Sequence, residues 1–178
     1  MKSLLLLSLL LFQVIPVDGQ VLNSQSGHVR FFSSAMLEDI SAENDQATAS
    51  FNPATGEAVF LIPIAGFEFR KSLMKEHFNE NYLESEKYPE AYFQGKISGY
   101  SPESPKSDAV AEGDMTIHGV KKRVTIPGTI SNQNGNILLE AVFNVVLEDY
   151  KVEIPRLMFQ NIAEEVEVSV KFEFKRPH

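Results

Sequence analysis

The sequence predicts an all-β protein, an antiparallel barrel or sandwich of about eight strands accompanied by one short amphipathic helix. Three observations lead there. Near the C-terminus Val166, Val168, Val170, Phe172 and Phe174 alternate strictly with Glu167, Ser169, Lys171, Glu173 and Lys175, which is the period of a strand with one buried face. Asn134-Gly135 stands between Thr129-Ile130-Ser131 and Ile137-Leu138-Leu139, and this dipeptide readily takes the two positive φ values of a tight type I′ hairpin turn. Turn signals then recur along the chain at short intervals, separating apolar runs of strand length.

Taken in order, the chain opens on signal-peptide anatomy. Lys2 supplies a positive charge, Leu4 to Ile15 an apolar run broken by Ser8 and Gln13, and Pro16 stops the helix before Val17-Asp18-Gly19. Small residues at Val17 and Gly19 predict cleavage after Gly19, leaving Gln20–His178 as the mature domain, exported and without a stable membrane span. The apolar run falls short of the ~20 residues that cross a bilayer. The absence of an N-x-[ST] acceptor is compatible with a bacterial periplasm.

Strand-like runs follow at His28–Ser33, Thr48–Phe51, Ala58–Ala65, Ala91–Tyr100, Val110–His118 and Val124–Ile130. The turn Asn52-Pro53-Ala54-Thr55-Gly56 links two of them, and Pro102 and Pro105 mark a longer polar loop. Pro127-Gly128 predicts a bulge or bend within its strand. Leu139, Ala141, Phe143, Val145 and Leu147 alternate with a second face made partly apolar by Val142 and Val146. Between the strands, Leu73, Met74, His77, Phe78 and Tyr82 fall at helical spacing, giving one amphipathic helix over Ser72–Tyr82 that ends before Tyr88-Pro89.

Composition narrows the function classes. The chain has 178 residues, 43% of them hydrophobic, which fits one globular domain with a sizeable core. Sixteen basic residues face 24 acidic ones, a net charge of −8, so a nucleic-acid partner is disfavoured; the densest basic run, Lys121-Lys122-Arg123, reads as a solvated turn. With no cysteine, disulfides, thiolate nucleophiles and iron–sulfur clusters are excluded.

Catalytic patterns are equally scarce. Four histidines are spread through the sequence, His28 and His118 in strands, His77 in the helix and His178 at the end. His77 and Glu80 share a helix face, yet too few ligands accompany them for a metal site. No G-x-S-x-G elbow, Walker loop or dinucleotide glycine pattern occurs, and neither an enzyme activity nor a cofactor is predicted. Thirteen Phe and five Tyr without Trp, together with Met74, Met115 and Met158, suit either soft cavity walls or an ordinary packed core. Periodicity does not distinguish a hollow barrel from a filled one.

Two segments add to this reading. His77-Phe78-Asn79-Glu80-Asn81-Tyr82-Leu83-Glu84-Ser85-Glu86-Lys87-Tyr88-Pro89-Glu90-Ala91-Tyr92-Phe93 and, some twenty residues later, Glu112-Gly113-Asp114-Met115-Thr116-Ile117-His118-Gly119-Val120-Lys121-Lys122-Arg123-Val124 resemble the YceI-like family. The second segment resembles that family's G-D-L-T-[IL]-x-G-V-T-[KR] strand and turn. Here Met115 and Ile117 point one way, Thr116 and His118 the other, and Gly119 permits the turn. Lys121 stands where many members have Thr. Met74-Lys75-Glu76-His77-Phe78 falls where many carry R-D-x-H-L and keeps only the His and the following apolar position, so no headgroup contact by the Arg or Asp carries over.

The resemblance implies an exported bacterial protein built as an extended lipocalin-like antiparallel barrel that holds a long isoprenoid or related amphiphile. On that basis the expected function is a periplasmic carrier for a polyisoprenoid or isoprenoid quinone-type lipid. The expected wall is Phe60, Ile62, Phe67, Phe69, Met74, Phe78, Tyr82, Met115, Ile117, Phe143 and Val145, with His77 and Tyr82 nearest a polar end. The alternative is a barrel scaffold with a solid core that binds a protein partner or serves in stress response. A homodimer through an uncovered sheet edge stays open.

Overall fold

The computed structural model describes residues 19–34, 39–153 and 163–176. Most of the expected leader, together with Met158 and His178, lies outside them. Ten strands are present: β1 (Leu22–Ser33), β2 (Ile40–Asn44), β3 (Thr48–Phe51), β4 (Glu57–Pro63), β5 (Glu68–Phe69), β6 (Glu90–Ser98), β7 (Lys106–Ile117), β8 (Val120–Gln133), β9 (Asn136–Val146) and β10 (Glu165–Lys175). They form one antiparallel sheet in the order β10-β9-β8-β7-β6-β4-β3-β1-β2-β5, and a further β10–β1 pairing closes eight of them into a barrel. Closure leaves β2 and β5 as two extra strands on the free half of β1, where Val29–Ser33 pairs with Ile40–Asn44. No helix among the described residues is long and apolar enough to cross a membrane.

Local chemistry explains the strands. Inward positions of β10 are Val166, Val168, Val170, Phe172 and Phe174, and its outward Glu and Lys residues meet solvent, because a period of two puts alternate side chains on opposite faces. Two hairpins turn on two residues with positive φ. Asn134 (φ 50°) and Gly135 (φ 85°) join β8 to β9, and His118 (φ 51°) and Gly119 (φ 72°) join β7 to β8, the geometry that matches the twist of the flanking strands. His118 is therefore a turn residue, not the strand residue expected.

Three other expectations change. β2 and β5 had no signal, since Ile40-Ser41-Ala42-Glu43-Asn44 carries little apolar bulk and β5 is only two residues long. Pro127-Gly128 makes no bulge against β7, where the register runs unbroken; the irregularity lies in β1 between Ser24 and Ser26. The helix α1 (Ser72–His77) continues as a wider turn over Phe78–Tyr82, in which the Leu83 amide donates to the Phe78 carbonyl at 2.9 Å. Asn79 Nδ2 also donates to the Lys75 carbonyl at 2.8 Å.

The barrel is tight at one end and wide at the other. At the tight end Phe51, Ile130, Ile137, Phe172 and Phe174 are fully buried. The Phe51 and Phe174 rings pack at 5.9 Å and those of Phe60 and Phe172 edge-on at 4.8 Å. A polar seal covers this end. Arg176 donates to the Tyr100 hydroxyl at 2.6 Å and to Asn132, whose amide donates to the Ser101 and Ser104 carbonyls at 3.0 and 2.6 Å. At the wide end β2, β5 and α1 are inserted between β1 and β4. Buried Asn44 ties that insertion down, donating to the Pro63 carbonyl at 2.7 Å and accepting from the Gln46 amide at 2.8 Å.

Candidate functional site: an apolar chamber

Inward side chains are too few to fill the wide half of the barrel. A chamber of about 250 Å³ remains, far more than the space a single water needs. Alternation fixes its walls strand by strand. β4 contributes Phe60 and Ile62, β7 Met115 and Ile117, and β9 Phe143 and Val145. The inserted segment adds Phe67, Phe69, Met74, Phe78 and Tyr82. Eleven of the twelve residues singled out from the sequence thus converge on one space, while His77, at the end of α1, is not among its lining residues.

Aromatic packing shapes the roof. Phe31 on β1 stacks on Phe78 at 5.5 Å and meets Phe67 edge-on at 5.4 Å, and Phe69 lies 5.0 Å from Phe78. These ring contacts hold the helical turn against the barrel, with edge-to-face geometry favoured by the ring quadrupoles, and Lys75 Nζ adds a hydrogen bond to Glu68 at 2.7 Å. Partial burial of Tyr82, one of the lining residues, raises its phenol pKa above 10.0 by desolvation.

Sequence reasoning missed several lining residues. Val166, Val168, Val170 and Phe172 carried the plainest alternation in the chain and all line the chamber; the signal was present but gave relative faces only. Ala91, Ala109 and Ala111 line it too, and small side chains leave no periodic signature, whereas Ala141, also in the lining, shared the alternation of residues 139–147. Leu147, the last residue of the 139–147 alternation, lines it from a short 3-10 turn, Leu147–Tyr150, and Val152 from the residues after that turn, where no pattern was available.

The motif segment in β7 has a clear packing reason. Gly113 lies opposite Gly95 across the β6–β7 pair. A Cβ on either would sit 2.7 Å from the tip of the Phe93 ring and closer still to backbone. The pair therefore leaves the room that the tip of the Phe93 ring occupies. In the adjoining turn, a Cβ on Gly119 would strike the Tyr88 ring at 2.5 Å.

His118 clasps three segments at the wide end. Its Nε2 lies 2.7 Å from Glu84 Oε2, its Nδ1 donates to the Tyr150 carbonyl at 3.2 Å, and Tyr88 packs edge-on at 4.6 Å. The clasp joins the turn after the helix, the β7–β8 turn and the 3-10 turn, none of which share a strand ladder. Lys122 adds an ion pair to Asp149 at 2.9 Å. Among the described residues no group of three or more His, Asp and Glu side chains converges as a metal site would require.

Fold and chamber together define a hollow β-barrel: a closed wall of strands, sealed at one end, around an unfilled apolar interior. The chain belongs to the YceI-like domain family, whose pattern it matches over residues 21–174. Solved structures agree on the fold. A polyisoprenoid-binding domain from Saccharophagus degradans, implicated in plant cell wall breakdown, superposes with a TM-score of 0.75 at 14% identity, covering 88% of this chain and 98% of that one. BcnA from Burkholderia cenocepacia gives 0.70 at 21% identity over 83% and 95%, and the YceI protein of Campylobacter jejuni 0.58 at 15% over 99% and 100%. No curated protein sequence matches the chain.

Proposed function

We propose that this protein is a non-enzymatic carrier that holds an elongated amphiphilic lipid, of the polyisoprenoid or isoprenoid-quinone type, in the barrel interior. The observation that carries the proposal is the chamber of about 250 Å³ walled by Phe60, Phe78, Met115, Phe143 and their neighbours. A solid-core scaffold would have no such space, since protein interiors ordinarily pack to crystal density. The structural relative described as a polyisoprenoid-binding domain supports the ligand class. The leader-like N-terminus supports action outside the cytoplasm, in the periplasm, after cleavage at Gly19.

The driving force is desolvation. Each methylene-sized group taken out of water contributes about 0.8 kcal/mol, so a ten-carbon stretch of chain contributes roughly 8 kcal/mol before the entropic cost of association. No proton transfer or covalent step is needed. Flexible Met74 and Met115 adapt the wall to branched chains.

The test is native mass spectrometry of the protein purified from a bacterial host, before and after mild organic extraction, followed by titration with a polyprenol and a ubiquinone. One bound species of isoprenoid mass, lost on extraction and restored by one of the two probes, is expected. Protein that is empty as isolated and takes up neither probe would refute the carrier reading.

A further inference from the structure

The β8–β9 hairpin is only partly zipped. From the Asn134-Gly135 turn it pairs from Gln133↔Asn136 to Gly128↔Ala141, and there it stops. Both strands run on: β8 stays paired with β7 back to Val120, and β9 with β10 out to Val146. Continuing the hairpin register would set Val142 against Pro127 and Phe143 against Ile126, yet no such pairing exists among the described residues. The strands part at Pro127, which has no N–H to offer a neighbour.

The chamber reaches this parting point. Ile126 and Phe143, the inward residues on its two sides, line the chamber, and so do Thr129 and Glu140. Those last two face each other in the final paired rungs but alternate with inward Ile130 and Leu139, so their side chains belong to the outer face. The chamber therefore extends to the wall at the place where the hairpin opens. Outside, Pro127 is exposed, Val142 is 59% exposed and Val146 40%, with exposed Thr125 and Asn144 on the same two strands. The opposite side of the wedge is closed by the 3-10 turn Leu147–Tyr150, pinned by Lys122–Asp149 and by His118.

We propose that the lipid enters and leaves sideways, through the wedge between β8 and β9, past Pro127 and Val142. This rests on the carrier reading and adds the route. A wall whose strands stay hydrogen-bonded to their outer neighbours but not to each other can part without breaking either ladder. Exposed Pro127, Val142 and Val146 give a hydrocarbon chain apolar contacts during passage. The sealed tight end, with its Arg176–Tyr100–Asn132 network, offers no comparable path.

Because the chain has no cysteine, a single V142C variant can carry a bulky sulfonated maleimide at the rim. V59C on the outer face of β4, where Val59 is 39% exposed, serves as the control. Uptake and release of dansyl-labelled farnesol are followed by stopped-flow fluorescence. A group that obstructs the route changes the barrier and not the end states, so labelling V142C is expected to slow uptake and release together, each by about tenfold, with Kd held within twofold. Labelled V59C should match unlabelled protein. Unchanged rates in labelled V142C, with normal equilibrium binding, would overturn the lateral route and leave the carrier reading intact. Failure of unlabelled protein to bind the probe at all would overturn both.

Discussion

A hollow barrel and a filled one answer oppositely to the same substitution, and Ala111→Phe makes the difference measurable. Ala111 points inward from β7, flanked by Ile97 on β6 and Ile126 on β8, and lines the chamber at the waist between the two apolar clusters. In a solid core, forcing a phenyl ring into this position would displace its neighbours and cost about 1–3 kcal/mol. Here about 250 Å³ of space lies beside it. Full burial of a Phe side chain is worth about 1.5–3 kcal/mol, and part of that is already available to a ring lying along the wall, so stability of the lipid-free protein should rise by about 1–2 kcal/mol. For a domain of this size 1 kcal/mol shifts Tm by about 2–4 °C, which gives an expected increase of roughly 2–8 °C. Lipid binding moves the other way, because the ring occupies the volume an apolar chain would fill; an affinity loss of about tenfold or more is expected. Differential scanning calorimetry of delipidated protein and a dansyl-farnesol titration read the two effects. A fall in Tm of 3 °C or more in the lipid-free variant would show that the waist is already filled and would refute the chamber argument.

Other perturbations follow from the same geometry. Gly113→Val should destabilise by about 3 kcal/mol or more, because its Cβ alone meets the Phe93 ring and the Gln94 carbonyl oxygen in the β6 backbone; urea unfolding with an unchanged m-value checks this. His118→Ala should cost about 1–2 kcal/mol, discounted for the exposure of Glu84, by removing the bonds to Glu84 and the Tyr150 carbonyl, and hydrogen exchange should rise first in residues 84–90 and 147–152. Tyr82 and Tyr150 both have phenol pKa values raised above 10.0, Tyr82 by desolvation, Tyr150 by desolvation and then by Asp149. A raised folded-state value favours the protonated form, so this stability is fully present below pH 10 and is lost as pH climbs through the folded values. Chemical denaturation across pH 8–12 should show a decline beginning above pH 10, smaller in the Tyr82→Phe, Tyr150→Phe double variant.

Much of the barrel was legible because strand signals are local. Alternation in 166–175 and 139–147 gave β10 and most of β9, and Asn134-Gly135 gave the hairpin that joins β8 to β9. The helical spacing of Leu73, Met74, His77, Phe78 and Tyr82 gave the roof, though not the widening of its second half into a looser turn. Residues with little bulk were silent. β2 was missed because Ala42 and Asn44 look like loop, and yet both are buried, Asn44 at 1% exposure as the tie between β2 and the end of β4.

By itself the sequence determined which side chains share a face, where the chain reverses, and that bulky apolar groups are numerous while reactive groups in useful spacing are not. These are properties of neighbours along the chain, set by the two-residue repeat of a strand and by the φ preferences of Asn and Gly. Which face is inside was decided only by closure, when β10 paired with β1 across Ser24–Phe32. Closure depends on the register of every strand at once, so no single segment encodes it. The chamber is likewise the difference between the volume a closed wall encloses and the volume its inward side chains occupy, and that difference exists only in three dimensions. The same holds for the His118 clasp on Glu84 and Tyr150, whose partners lie 34 and 32 residues away, and for the wedge at Pro127. There a residue that read as a bend in its own strand proved to mark the place where the neighbouring strand departs.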